Sequence, residues 1–137
     1  MFVYNTEIQL HHTDAAGVLF FSHQFTLAHD AYQAFMQDLG LPLAHFIEKA
    51  DYFLPIVHAE SDFKLPLRVG KKIKIKLMVN YIGQSSFILH YALFDEAGSL
   101  CGEVKTVHVC MDRTNHRKMD LPAEVREKLK RYTTGSD

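Results

Sequence analysis

A lone carboxylate stands in a short turn near the N-terminus, between two segments with apolar patterns. Asp14 is followed by Ala15-Ala16-Gly17, a short apolar run and then Ser22. A carboxylate can attack a carbonyl carbon such as that of a thioester, or it can deprotonate the water that attacks. Both routes build negative charge on the carbonyl oxygen, which backbone N–H groups at a helix start stabilise. The spacing fits acyl-transfer chemistry, although the same carboxylate could instead cap the turn or the helix.

The turn must be followed by a helix for this chemistry to work. Apolar residues recur at spacings of three and four from Phe25 to Leu39, which predicts a helix whose N-cap is Ser22. Gly40 and Pro42 are predicted to end it. The positive end of the helix dipole then lies beside the turn, where Gly17 allows the backbone to approach a ligand closely.

The rest of the chain changes to a period of two. Strands are predicted at residues 3–11, 56–65, 71–82, 86–94 and 100–112, and short helices at residues 43–49 and 122–132. Within residues 71–82, Ile73 and Ile75 face one way and the intervening lysines the other, which is typical of an antiparallel sheet with one wet face. We therefore predict a single α+β domain over residues 1–137, in which a curved antiparallel sheet is wrapped around one long helix. Residues 133–137 are predicted to be disordered.

Composition excludes several classes of function. The 137 residues include Lys+Arg 15 and Asp+Glu 16, so no global positive charge supports nucleic-acid binding. No segment approaches the roughly 18 apolar residues of a membrane helix, and the first residues lack the basic region of a signal peptide. Cys101 and Cys110 lie on one predicted strand and can hardly frame a disulfide fold, so a cytoplasmic location is expected.

Two segments resemble the 4-hydroxybenzoyl-CoA thioesterase family of hotdog-fold enzymes. They are Asp14-Ala15-Ala16-Gly17-Val18, before the long helix, and Leu54-Pro55-Ile56-Val57-His58-Ala59-Glu60-Ser61-Asp62-Phe63. Within that family, residues 29–32, 54–59 and 107–110 are similar to the 1,4-dihydroxy-2-naphthoyl-CoA hydrolases of quinone biosynthesis. The resemblance covers residues 4–112. It implies the hotdog fold and hydrolysis of an aromatic acyl-CoA thioester without a metal or redox cofactor.

The resemblance also implies roles for individual residues. Asp14 is expected to act as nucleophile or general base, and the backbone N–H of Phe21 is expected to point at the thioester oxygen. His29 and His58 are candidates for substrate contact, with Ser61 a weaker one. His29 is predicted on the buried side of the helix and His58 in an apolar strand. Either could instead be a structural histidine.

The phosphates of CoA need donors near the mouth of the site. Some relatives place arginines in the turn that matches residues 83–86, where this chain has Ser85 and Ser86 instead. These serines and nearby backbone N–H groups are therefore expected to contact CoA. Other candidates for phosphate contact are Arg68, Lys71, Lys105 and Lys118.

No metal site is predicted, because adjacent strand residues such as His11 and His12 point to opposite faces. The resemblance implies a homodimer or homotetramer with its sites at the dimer interface. Two other functions stay open. One is a broad-specificity fatty acyl-CoA thioesterase, and the other is a non-catalytic module that binds acyl groups or acyl-carrier protein.

Overall fold

The computed structural model describes residues 1–133 and consists of a five-stranded antiparallel sheet that packs on one long helix. The helices are α1 (Phe21–Asp38), α2 (Leu43–Lys49) and α3 (Ala123–Leu129). The strands are β1 (Phe2–Glu7), β2 (Tyr52–Phe53), β3 (Ile56–Phe63), β4 (Lys72–Ile82), β5 (Ser86–Asp95), β6 (Leu100–Val109) and β7 (Met111–Asp112). The strand order in the large sheet is β1-β4-β5-β6-β3, and β2 pairs separately with β7. The predicted α+β class is confirmed.

The core lies between α1 and one face of the sheet. In β4 the side chains of Ile73, Ile75 and Leu77 are at most 2% exposed, while Lys72 and Lys74 are exposed on the other face, as predicted. The helix contacts β1, β3, β4 and β6. Each fully buried Leu or Ile stabilises the fold by about 1.5–3 kcal/mol, so the alternating pattern fixes which face of the sheet meets the helix.

The start of α1 differs from the prediction by two residues, and the cap is different. The helix begins at Phe21, and its N-cap is Phe20, which makes no side-chain cap bond. The Phe20 N–H donates to His12 O at 2.9 Å, so pairing with a distant segment of backbone sets the start. The predicted N-cap Ser22 is therefore wrong, because Ser22 is already inside the helix. The predicted end is confirmed by Gly40, whose φ is +80°.

The first predicted strand is shorter than residues 3–11. It ends at Glu7, and residues Leu10–His12 form a 3-10 turn. The rings of His11 and His12 lie side by side in this turn, with centroids 4.1 Å apart. The expectation that they point to opposite faces is wrong, because it assumed a strand. Among residues 1–133, no group of three or more His, Cys, Asp or Glu side chains is arranged to hold a metal ion.

The strand order departs from a simple meander at β3. This strand lies beyond β6 at the edge of the sheet, where Ile56 pairs with His108 and Phe63 with Gly102. The chain after β3 is tied to β6, because the N–H groups of Lys64 and Leu65 both donate to Cys101 O. One side of β3 is therefore an open sheet edge.

The C-terminal part is more broken than predicted. The predicted strand at residues 100–112 divides at Cys110, whose N–H donates to Ser85 O at 2.8 Å, and β7 then joins β2 instead. The last predicted helix ends at Leu129 and continues as a 3-10 turn, Lys130–Tyr132. Thr133 forms an isolated bridge with Val79, and the rest of the tail that was predicted to be disordered, residues 134–137, lies outside the described part. Within the described part, no helix has the length and hydropathy needed to cross a membrane.

Candidate active site

The Asp14 carboxylate is held by the turn that it begins. Its Oδ1 accepts hydrogen bonds from the N–H groups of Ala16 (2.9 Å) and Val18 (3.3 Å). The turn is closed by the Gly17 N–H, which donates to Asp14 O at 3.0 Å, with a Gly17 φ of +74°. Within residues 1–133 the other carboxylate oxygen, Oδ2, makes no hydrogen bond. Capping of the turn therefore occupies one oxygen and leaves the second available to a substrate.

The turn and the start of α1 are fixed together by backbone pairing. The Leu19 N–H donates to Leu67 O at 2.7 Å, and the Val69 N–H donates to Gly17 O at 3.0 Å. The N–H of Phe21 is the first of the helix, so it has no acceptor within the helix. It lies at the positive end of the helix dipole. A carboxylate and a free helix-start donor therefore occupy the same end of α1.

A cleft of about 300 Å³ opens at this end of the helix. It is lined by Val18, Leu19, Phe21, Gln24 and residues 63–67. Phe21 and Phe63 are 61% and 54% exposed, so aromatic surface is available to a ligand. An apolar cleft with a few polar groups is the usual form of a small-molecule site.

Gln24 was not a candidate from the sequence, yet it is the buried polar side chain of this cleft. It is 1% exposed, and its Nε2 donates to Ser61 Oγ at 2.7 Å and to Asp62 O at 2.9 Å. The available signal was a glutamine on the apolar face of the predicted helix, one turn before Leu27 and Ala28. The predicted candidate Ser61 lies on the side of β3 that faces the helix, where its hydroxyl bonds to Gln24.

The two predicted substrate histidines lie elsewhere in the protomer. His29 is exposed on α1 and stacks on Tyr32 with centroids 5.6 Å apart, so its predicted position on the buried side is wrong. It follows Phe21 by eight residues, which is about 12 Å along the helix. The side chain of His58 is 57% exposed and 3.3 Å from Glu60. Because alternate strand residues share a face, His58 lies on the outer face of the sheet and Ser61 on the inner one.

The turn with the two serines is at the other end of the sheet. Ser85 and Ser86 follow β4, whereas the Asp14 turn lies beside the start of that strand. The 11 residues of β4 place these ends roughly 30 Å apart in one protomer. The backbone oxygens of the two serines accept bonds from Cys110 and Gly83. A single protomer therefore does not bring the serines to the carboxylate.

The four basic candidates are also separated by the fold. Arg68 pairs with Val18 and so lies beside the Asp14 turn. Lys105 is 3.5 Å from Glu60 on the outer face, where bonds from His58 and Lys105 hold the pKa of the Glu60 carboxyl below its usual range. The other two candidates are Lys71, beside the start of β4, and Lys118, which bridges to Met111. Lys64, which was not a candidate from the sequence, lines the cleft.

A buried polar network lies further along α1. His108 is 0% exposed, its Nδ1 is 3.2 Å from Leu54 O, and its Nε2 is 3.0 Å from Thr106 Oγ1. The hydroxyl of Tyr91 is 3.1 Å from the same Oγ1. Burial lowers the pKa of His108 to about 4, so the imidazole is neutral near pH 7. As a neutral ring it can donate from Nδ1 to the carbonyl and accept at Nε2 from the threonine.

Comparisons with known proteins give the family. The family model described as the Thioesterase-like superfamily matches residues 8–129. A 1,4-dihydroxy-2-naphthoyl-CoA hydrolase from Gloeothece citriformis is 32% identical over 136 residues, which cover 98% of this chain and 95% of that protein. The protein of the same name from Nostoc punctiforme is 34% identical over 124 residues, which cover 90% of this chain and 83% of that protein.

Solved structures agree in fold. A 1,4-dihydroxy-2-naphthoyl-CoA thioesterase from Synechocystis superposes with a TM-score of 0.88 at 29% identity, over 93% of this chain and 94% of that chain. A gentisyl-coenzyme A thioesterase superposes with a TM-score of 0.82 at 26% identity, over 93% and 98%. The predicted hotdog fold and thioester hydrolase class are confirmed. This chain belongs to the Thioesterase-like superfamily.

Proposed function

We propose that this protein hydrolyses the thioester of 1,4-dihydroxy-2-naphthoyl-CoA. One observation carries the proposal: Asp14 is anchored through Oδ1 in the turn that leads into α1, and the start of this helix, with the free Phe21 N–H, lines an apolar cleft. The names of the relatives at 32% and 34% identity support this acyl group. The exposed Phe21 and Phe63 rings offer it aromatic contacts.

The chemistry needs only groups that the chain supplies. The Phe21 N–H donates to the thioester oxygen as negative charge develops there. A good donor in this position lowers the activation barrier by about 3–4 kcal/mol. Oδ2 of Asp14 serves one of two routes. It attacks the acyl carbon and expels the CoA thiolate, and water then cleaves the mixed anhydride, or it removes a proton from the water that attacks directly. Both routes give the free acid and CoA, and neither needs a metal or redox cofactor.

We further propose that a second copy of this chain pairs along the open edge of β3. The strand is exposed along nearly its whole length, and Ile56, Val57 and Phe63 are 40%, 57% and 54% exposed. An unprotected apolar edge strand is a template for antiparallel pairing. Pairing there covers these side chains and brings residues of the second copy to the cleft. His58 and the two serines, remote from Asp14 within one protomer, can then act across the interface.

Val57→Lys tests the pairing. In a two-fold interface the new charge occurs twice, and burying it unpaired is costly. We expect the variant to sediment as a monomer with a reduced kcat. Ile47→Lys is the matched control, because Ile47 is 62% exposed on α2 and is not part of the sheet. A Val57→Lys variant that keeps the wild-type oligomeric state contradicts pairing at β3.

A substrate panel tests the function. Release of CoA from 1,4-dihydroxy-2-naphthoyl-CoA is compared with release from medium- and long-chain fatty acyl-CoA. We expect kcat/KM to be highest for the aromatic ester. Higher values for the fatty esters would identify a broad-specificity fatty acyl-CoA thioesterase, and tight binding without turnover would identify a non-catalytic acyl-binding module.

We also infer a cytoplasmic location. Cys101 and Cys110 are both free and buried thiols, which suits a reducing compartment. Burial raises the pKa of Cys110 to about 11, so its thiol is unreactive. Localisation of a fluorescently tagged chain in its host cell tests this inference.

A further inference from the structure

We propose that Gln24 recognises the hydroxyl next to the thioester on the aromatic acyl group. This inference rests on the proposed function and deepens it, because it names the residue that recognises a substituent of the aromatic ring. It concerns the 1-hydroxyl of a 2-naphthoyl ester, the donor nearest to the reacting carbonyl.

The fold holds the amide of Gln24 in one orientation. Its Nε2 is 2.7 Å from Ser61 Oγ, 2.9 Å from Asp62 O and 3.5 Å from Glu103 O. Two of these partners are carbonyl oxygens, which accept only, so the NH₂ group must face the strands β3 and β6. The helix is thereby pinned to both strands, and the amide cannot turn over.

Gly102 supplies the space in which this amide lies. A Cβ at Gly102 would be 2.5 Å from Gln24 Oε1 and 2.8 Å from both Cδ and Nε2. Any other residue at this position would displace the amide. The glycine is buried in β6 opposite Phe63, and because it has no side chain, the amide of Gln24, which lines the cleft, can pack against its backbone.

Oε1 is the part of the amide left for a ligand. Within residues 1–133 it accepts no hydrogen bond, although the side chain is 1% exposed and lines the cleft. Among residues 1–133 every fully buried polar side-chain atom has a partner, so the unpaired Oε1 keeps a small accessible area through which a ligand donor can reach it. A ligand that brings a donor to this point therefore gains affinity, and one that brings an apolar atom does not.

The position of Gln24 selects which donor this is. It follows Phe21 by three residues on the same helix face, about 4.5 Å along the axis. With the thioester oxygen on the Phe21 N–H, the ring carbon next to the thioester comes level with Gln24. A hydroxyl on that carbon can donate to Oε1, whereas a hydroxyl across the ring is farther away. The thioester group itself has no donor.

The test compares 1-hydroxy-2-naphthoyl-CoA with 2-naphthoyl-CoA. For the wild type we expect the hydroxylated ester to have the higher kcat/KM. Gln24→Met keeps the shape and removes the acceptor, and we expect it to reduce the ratio of the two kcat/KM values about five- to tenfold. The same comparison is made with 4-hydroxy-2-naphthoyl-CoA in place of the 1-hydroxy ester. Its kcat/KM relative to that of 2-naphthoyl-CoA should differ less than twofold between the wild type and Gln24→Met.

Two further variants separate recognition from packing. Gly102→Ala displaces the amide without altering its chemistry and should reduce the same ratio. Gln33→Met, the same change at an exposed position of α1, should leave the ratio at its wild-type value. Equal losses for both esters in Gln24→Met would mean that Gln24 only packs, or binds the CoA portion, and would overturn the proposal. A wild type that turns over no naphthoyl ester would instead overturn the proposed function, and this inference with it.

Discussion

Several polar groups at the N-terminal end of α1 have no partner in the described part of the chain, whereas those beside the middle of the helix are paired. At the N-terminal end, the Phe21 N–H, Gln24 Oε1 and Asp14 Oδ2 have no hydrogen-bond partner within residues 1–133. Phe21 and Phe63 lie exposed beside them. These groups have no partner among the described residues and keep access to solvent, so a ligand that enters the cleft can bind to them.

Further along the helix, the polar groups are buried and paired. The rings of Tyr32 and Phe87 stack on His108, with centroids 4.8 Å and 4.7 Å away. Both imidazole nitrogens of His108 have partners. This network connects β6 to the carbonyl of Leu54, just before β3 begins, so it holds the edge strand in place. The contrast indicates that changes at the N-terminal end of α1 should affect turnover, whereas changes in the His108 network should affect stability.

The largest expected effect is that of Asp14→Asn. The amide oxygen can still accept from the Ala16 and Val18 N–H groups, so the turn should persist, but an amide is neither a base nor a nucleophile. We expect kcat to fall by about 10²–10⁴-fold with a melting temperature close to wild type. CoA release and thermal denaturation measure the two. Asp30→Asn, at an exposed position of α1, is the control and should keep kcat. Wild-type turnover by Asp14→Asn would contradict the mechanism.

The second prediction concerns the pH dependence of stability at His108. Its pKa is lowered to about 4 in the folded protein, against about 6.5 when unfolded. The unfolded state therefore binds the extra proton between these values, so the free energy of unfolding is highest above pH 6.5. It should fall by roughly 3 kcal/mol as the pH drops to 4.

Denaturant unfolding at several pH values measures this slope. His108→Gln removes the titrating group. Between pH 4 and 6.5, the slope of its free energy of unfolding against pH should be smaller than that of the wild type by the equivalent of about one bound proton. The native carboxylates also titrate near the acid end, which is why the difference between the two proteins is the relevant quantity. If both proteins show the same slope, His108 is not a buried neutral base.

The smallest expected effect comes from comparing alanine substitutions at two glycines that both have a positive φ. Gly17 and Gly98 have φ values of +74° and +84°, and neither has a neighbour closer than 3.9 Å to an added Cβ. An alanine should cost about 1–2 kcal/mol of stability at either position. Gly17→Ala should also lower kcat several-fold, because it distorts the turn that orients Asp14. Gly98→Ala lies in the β5–β6 turn, and it should leave kcat unchanged. Equal kcat values for both variants would show that the turn geometry does not matter for catalysis.

The sequence was sufficient for the parts that depend on local patterns. The alternation in β4 predicted its buried face, the apolar spacing predicted α1, and Gly40 predicted where it ends. The short helix at residues 43–49 matches α2. Asp14, Gly17 and Phe21 could be proposed together because they are close in sequence and one turn holds them. Their catalytic roles stay predictions that the variants above test.

Tertiary contacts decided everything that depends on distant pairing. The place of β3 beyond β6 comes from hydrogen bonds between segments about forty residues apart, and a pattern of period two is the same in any strand order. That placement turned His58 to the outer face and put Ser61 under Gln24. The apolar spacing predicted His29 on the buried side of α1, and only the packing of the sheet against the helix showed that this side chain is exposed.

What the sequence determined by itself was therefore a set of neighbouring groups: a carboxylate, a glycine turn and a helix start within eight residues of one another. Only the tertiary structure decided which side chains surround these groups. Gln24 became a site residue because Gly102, far along the chain, leaves room for its amide, and because β3 takes up its NH₂ group. Burial and pairing are properties of packed surfaces, so no local pattern could have shown which oxygen would be left without a partner.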